Sequence, residues 1–151
     1  MFLTRRDLCL LLPAAIFPEA LKLEGAESQD QGNVLPSKTY SFDSLAVHSA
    51  PSGAQIRNMF KGKLATGESV EVHETTLPPE AMPHAAHHHP HSEMWLVREG
   101  TVELTINGVS QRFGAGSVGF VKSNEEHGIK NVGTTPATYF VVAVGPGAGG
   151  A

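Results

Sequence analysis

The segment His84-Ala-Ala-His87-His88-His89-Pro90-His91-Ser92-Glu93 gathers five of the chain's eight histidines and ends on a carboxylate. Neutral imidazoles and a carboxylate are ligands for divalent cations. The one cysteine, Cys9, lies near the N-terminus inside an apolar run, so thiolate takes no part and a metal must be held by nitrogen and oxygen. On an extended chain, residues two apart share a face. His87 and His89 therefore present both rings to one side, and His88 points the other way. Pro90 cannot donate to a ladder and ends that strand. Glu93 opens the next strand, with Trp95 and Val97 on its face. A fourth ligand must come from elsewhere, and His127 is the only histidine downstream. Ile129 and Asn131 share its face. His84 and His91 are rim residues, either of which could take a ligand's place if the register differs. His73, on the strand before the cluster, reads as a structural histidine or as a partner to the ligands.

The elements that must position these groups are short strands. The sequence holds 16 glycines and 10 prolines, a density of turns suited to many strands. Leu45–His48, Glu68–Thr76 (with Val70 and Val72 on one face), Met94–Val97, Ser117–Val121 and Ala137–Val144 carry strand signals. Thr101–Ile106 alternates strictly, and Asn107-Gly108 supplies the two positive-φ residues of a type I′ hairpin returning through Val109, Gln111 and Phe113. No stretch of this body has a sustained helical period, and no repeat of useful length is visible. The pattern predicts an all-β sandwich or barrel, one per chain.

Spacing makes the pattern more specific. Ala81 to Gly100 resembles the first cupin motif, a glycine, five residues, His-x-His, three or four residues, Glu, six residues and Gly; His87, His89, Glu93 and Gly100 fall in place. Gly108 to Asn131 resembles the second motif through Gly108, Gly116, His127 and Asn131. Ala81, Gly114 and Asn124 depart from it where the motifs have glycine, proline and glycine, all at turns. The resemblance covers roughly Lys63 to Val144. It implies a double-stranded β-helix, the cupin jelly-roll barrel, with metal ligands His87, His89, Glu93 and His127. It also implies a homodimer, for which the apolar faces of Val102–Ile106 and Tyr139–Val144 could supply contact or could simply be core.

Four ligands around a six-coordinate ion leave positions for water or substrate. Fe or Mn suits the set best, and Zn, Ni and Cu also accept it. Lys130 and Arg98 point outward by parity. With no basic residue placed inside, a phosphosugar is disfavoured and a small, largely uncharged, oxygen-bearing ligand is expected. Two functions stand: a metal-dependent, dioxygenase-like enzyme, and a non-catalytic cupin binding a small ligand or metal as a sensor or stress protein. The intact ligand set favours the enzyme. No motif assigns a catalytic residue beyond the ligands.

Composition bounds the rest. At 151 residues, 40% hydrophobic and 17% charged, the chain has room for one soluble domain. Its formal charge of -4 offers no basic surface to nucleic acid or anionic lipid. Thr4-Arg5-Arg6-Asp7-Leu8 stands before an apolar run, Leu8 to Phe17, too short for the roughly 20 residues of a bilayer span. It resembles a twin-arginine export signal and implies a periplasmic location, with a cytoplasmic one as the alternative. The small residue wanted before a cleavage site is missing near Ala20 and Ala26. The expected organisation is a signal over residues 1–20, a linker over 21–33, the barrel over 34–144 and a flexible tail over 145–151.

Overall fold

The structure, a computed structural model, describes residues 34–149. The expected export signal and linker lie outside the described residues, as do the last two residues of the expected tail. Among the described residues no helix is long and apolar enough to cross a membrane.

Among the described residues, nine strands follow a 3-10 turn at Phe42–Ser44: β1 Val47–Ser49, β2 Gln55–Lys63, β3 Ser69–Leu77, β4 Ser92–Glu99, β5 Thr101–Ile106, β6 Val109–Gly114, β7 Val118–Val121, β8 His127–Asn131 and β9 Ala137–Val144. They form a six-stranded sheet in the order β1-β2-β3-β9-β4-β7 and a three-stranded sheet in the order β6-β5-β8. All the strand pairs are antiparallel. The arrangement is the double-stranded β-helix expected from the sequence.

Alternation decides which side chains meet between the sheets. Trp95 and Val97 of β4, Val102 and Leu104 of β5, Ile129 of β8, and Tyr139 and Val141 of β9 all belong to one buried cluster. Each aliphatic side chain there contributes about 1.5–3 kcal/mol by leaving water. The faces of β5 and β9 that could have supplied a dimer contact are thus core. The hairpin between β5 and β6 turns as its residues require, with φ of 47° at Asn107 and 81° at Gly108. Gly100 is fixed by space as well as by its φ of 83°, because a Cβ there would stand 2.7 Å from the Ala137 Cα.

Three sequence expectations need correcting. Strand β2 was not foreseen. Its residues are half-exposed or exposed and its pairing with β3 slips between Asn58 and Phe60, so the apolar alternation that marks a strand is blurred. The segment through His87 and His89 is not a strand but a loop held by one bridge, His87 with His127. His87 N–H donates to the His127 carbonyl (3.0 Å) and the His87 carbonyl accepts from His127 N–H (2.8 Å), while the His89 carbonyl accepts from Asn124 N–H at 2.8 Å. Finally, the tail expected not to pack does so over residues 145–149: Gly145 N–H donates to the Ser69 carbonyl and Ala148 is buried.

Candidate metal centre

The four expected ligands come from three places and meet between the sheets. His87 and His89 lie on the loop before β4, Glu93 is the second residue of β4, and His127 opens β8. The single bridge between His87 and His127 ties the loop to the smaller sheet, so one backbone pairing sets two of the imidazoles side by side. The ring centroids of His87 and His127 are 4.8 Å apart, those of His89 and His127 4.8 Å, and those of His87 and His89 5.2 Å. Each of these three histidines offers a ring nitrogen within 4.8 Å of the other two. His88 is exposed, as parity requires.

The tautomers are also set for coordination. His127 Nδ1 lies 2.8 Å from the Glu125 carbonyl, and His89 Nδ1 lies 3.0 Å from the His91 carbonyl. A carbonyl can only accept, so both Nδ1 atoms carry the proton and both Nε2 atoms keep a free lone pair. Both Nε2 atoms are buried without a hydrogen-bond partner. An orphaned buried lone pair is costly in a closed fold, and here two of them face one carboxylate. Glu93 Oε2 stands 3.4 Å from His89 Nε2 and 3.3 Å from His127 Nε2. These observations fit a divalent metal ion held by this cluster. Its identity is not set by the donor types, since nitrogen and oxygen ligands suit several first-row ions.

Electrostatics agree with the geometry. Burial works to raise the Glu93 pKa, but the His127 contact and the neighbouring His89 and His91 outweigh it and lower the pKa to about 2. His127 is pushed the other way. Burial would lower its pKa, and Glu93 together with the Glu125 carbonyl raises it. Burial lowers the pKa of His87, aided by repulsion from His84, His127 and His89. The neutral form, which binds metal, is favoured there.

His91 is closer to the centre than a rim residue. Its ring stacks on His89 with centroids 3.5 Å apart, and its Nε2 lies 3.5 Å from Glu93 Oε1. Together with His89 and Glu93 it forms a second, overlapping group of ligand type. The geometry places it on the Glu93 oxygen that turns away from His127. Asn131, on the His127 face, is absorbed by structure: its amide donates to the carbonyls of Leu77 and Thr135, and its oxygen accepts from Gly133 N–H. Arg98 points outward and pairs with Glu74, and Lys130 pairs with Glu80, as parity predicted.

The centre opens on a cavity of about 330 Å³ between the sheets. Its wall includes Glu93, Trp95, His127 and Ile129, and continues through Glu71, His73 and Thr75 of β3 to Tyr139 and Val141 of β9. Among the described residues, no lysine or arginine lines it. The Tyr139 hydroxyl is buried and unpartnered, and burial with the nearby Glu93 charge raises its pKa, so it stays a neutral phenol. Tyr139 and Glu71 were not singled out from sequence. The available signal was the alternation Glu71, His73, Thr75, which marks the face opposite Val70 and Val72.

Comparison with known proteins agrees with this architecture. Residues 73–143 match the Cupin_2 family, described as a cupin domain. The fold is similar to that of an RmlC-like cupin from Shewanella frigidimarina, with a TM-score of 0.60, 20% identity, and coverage of 72% of this chain and 92% of that one. KdgF from a Halomonas species gives a TM-score of 0.61 at 13% identity, covering 72% of this chain and 94% of that one. A predicted oxalate decarboxylase from Thermotoga maritima gives 0.56 at 20% identity, with 72% and 99% covered. The fold is that of the cupins, and the family match lies over residues 73–143.

Proposed function

We propose that the protein is a metal-dependent, dioxygenase-like enzyme acting on a small, oxygen-bearing, uncharged substrate, with His87, His89, Glu93 and His127 as the ligands. The observation that carries this reading is the pair of buried, unpartnered Nε2 atoms of His89 and His127, whose Nδ1 protons are held by backbone carbonyls. A redox-active ion such as Fe or Mn, bound there, would supply Lewis acidity to an oxygen donor and a place for dioxygen.

The chain's own residues do the rest. Carbonyl anchors at Nδ1 hold the two imidazoles in one tautomer and orientation. Glu93 brings one negative charge that offsets part of the ion's charge. Trp95 and Ile129 keep water from one side of the ligand, while the Tyr139 hydroxyl offers a donor deeper in the cavity. A wall with no lysine or arginine among the described residues suits an uncharged ligand better than a phosphate ester. Some structures of similar fold come from proteins named as enzymes, among them the predicted oxalate decarboxylase and the polyketide cyclase RemF from Streptomyces resistomycificus.

The test is oxygen uptake by Fe- or Mn-loaded protein across catechols, enols and α-hydroxy ketones. Consumption that requires metal supports the enzyme. Tight binding without oxygen consumption or product, for every metal tried, would leave a binding protein instead. The export expected from Thr4-Arg5-Arg6 belongs to the same reading, because a folded-protein route lets metal load before crossing; fractionation of wild type against Arg5→Lys with Arg6→Lys tests it. The homodimer is likewise a proposal, read out by the mass of the protein in solution.

A further inference from the structure

Opposite the metal centre, the cavity holds a second pair of chemically able groups. Glu71 pairs with Ala143 across β3 and β9, and Ala143 pairs with Glu93 across β9 and β4. Glu71 and Glu93 thus stand in one row, two strand spacings or about 10 Å apart at the backbone. The next row runs His73, Val141, Trp95. Ala143 and Val141 occupy the strand between the two sides, and Val141 lines the cavity with Glu71, His73, Glu93 and Trp95. His73 Nδ1 is 3.4 Å from Glu71 Oε1 and is buried without a bond of full hydrogen-bond geometry. Asn58 faces His73 from β2, and the charged or titratable groups bearing on it are Glu71, Glu93 and His84.

A mere core histidine satisfies both nitrogens or is dry on all sides. His73 instead borders open volume, has a carboxylate beside Nδ1, and so leaves Nε2 for whatever fills the cavity. An enol or catechol must lose a hydroxyl proton to chelate a metal ion well, and a base within the cavity can take it without exchange with bulk water.

Building on the proposed metal-dependent reading, we propose that His73 is the base that receives this proton and that Glu71 positions it. The O–H bond of the ligand breaks, its electron pair stays on the ligand oxygen, and the proton forms an N–H bond at His73 Nε2. Glu71 accepts from Nδ1–H and stabilises the imidazolium that results. Nothing is oxidised or reduced in the step. Burial lowers the His73 pKa against the pull of Glu71 and Glu93, so the ring is neutral before a ligand enters, and Glu71 is the group that offsets the cost of charging it.

The experiment is calorimetric titration of catechol into zinc-loaded full-length protein, chosen because zinc does not oxidise the ligand. Runs in buffers of different ionisation enthalpy count the protons released per catechol bound. His73→Gln should retain its zinc and release about one more proton per catechol than wild type. Glu71→Gln should fall between them, and it carries the test if His73→Gln fails to fold. Equal proton release in wild type and both variants overturns the inference while leaving the metal site standing. Zinc loss from His73→Gln also overturns it, by making His73 a ligand. Failure of zinc-loaded wild type to bind catechol overturns it together with the ligand class. Wild type that takes up no zinc overturns the reading on which it rests.

Discussion

His127 Nε2 lies 3.3 Å from Glu93 Oε2, a buried lone pair facing a carboxylate oxygen across the gap between the two sheets. In the metal-free protein this pair can close only by placing a proton on the ring. That explains why the His127 pKa is raised and the Glu93 pKa lowered. A metal ion held by these residues would take the place of that proton.

The relationship predicts a pH window for the metal-free fold. Glu93 has a depressed folded pKa, so its contribution is present above the ordinary carboxylate value of 4.5 and is lost as pH falls toward about 2. His127 has a raised folded pKa, so its contribution is complete below 6.5 and is lost as pH rises through the folded value. Glu93→Gln removes both. Urea midpoints of metal-free wild type and Glu93→Gln should therefore differ most between about pH 4.5 and 6.5, and the gap should narrow as pH rises through the raised His127 value. A difference that does not vary with pH would break the link between the two residues.

Metal retention should follow the opposite trend. Coordination needs neutral imidazole, so protons compete with metal as pH falls through the histidine range, and metal should leave below about pH 6. Glu93 remains a carboxylate throughout that range and does not drive the release. Metal remaining after gel filtration at a series of pH values measures this. Full retention at about pH 4 would contradict ligation by histidines that protons can reach.

Much of this site was legible because it depends on parity and spacing. His87, His89, Glu93 and His127 were found from face alternation and motif positions, and the structure brings them together. Asn124, where the second motif has glycine, adopts a φ of 63°, a conformation that asparagine tolerates better than most residues. The parts that were not legible depend on contacts between distant segments. The His87 loop reads as a strand because it is extended, yet only His87 pairs with a strand, on β8, while the His89 carbonyl bonds to Asn124 outside any strand. Glu71, His73 and Thr75 read as the polar face of a half-exposed strand, and only the closing of the barrel turns that face into a cavity wall.

Tyr139 offers a test of that wall. Its hydroxyl is buried with no hydrogen-bond partner, so Tyr139→Phe removes an unsatisfied group. The variant should be unchanged in stability or gain up to about 1 kcal/mol, measured by urea unfolding. It should bind catechol more weakly at equal metal content. A loss of more than about 2 kcal/mol would mean that the hydroxyl is bonded in the folded protein.

Gly100 tests the frame that carries Glu93. Gly100→Ala places a methyl 2.7 Å from the Ala137 Cα and strains a φ of 83°. Thermal unfolding should register a loss of about 2 kcal/mol or more, since the strain alone costs about 1–2 kcal/mol. An unchanged midpoint would contradict the close approach of the β4–β5 turn to β9.

The central claim is a single metal centre built on His89 and His127, and elemental analysis of folded protein tests it most directly. Wild type should carry close to one metal ion per chain after loading and desalting. His89→Ala and His127→Ala, folded by circular dichroism, should carry about a tenth of that or less, as loss of a ligand costs at least the roughly 10–100-fold in affinity that loss of a supporting contact does. Unchanged metal content in both variants would contradict the account.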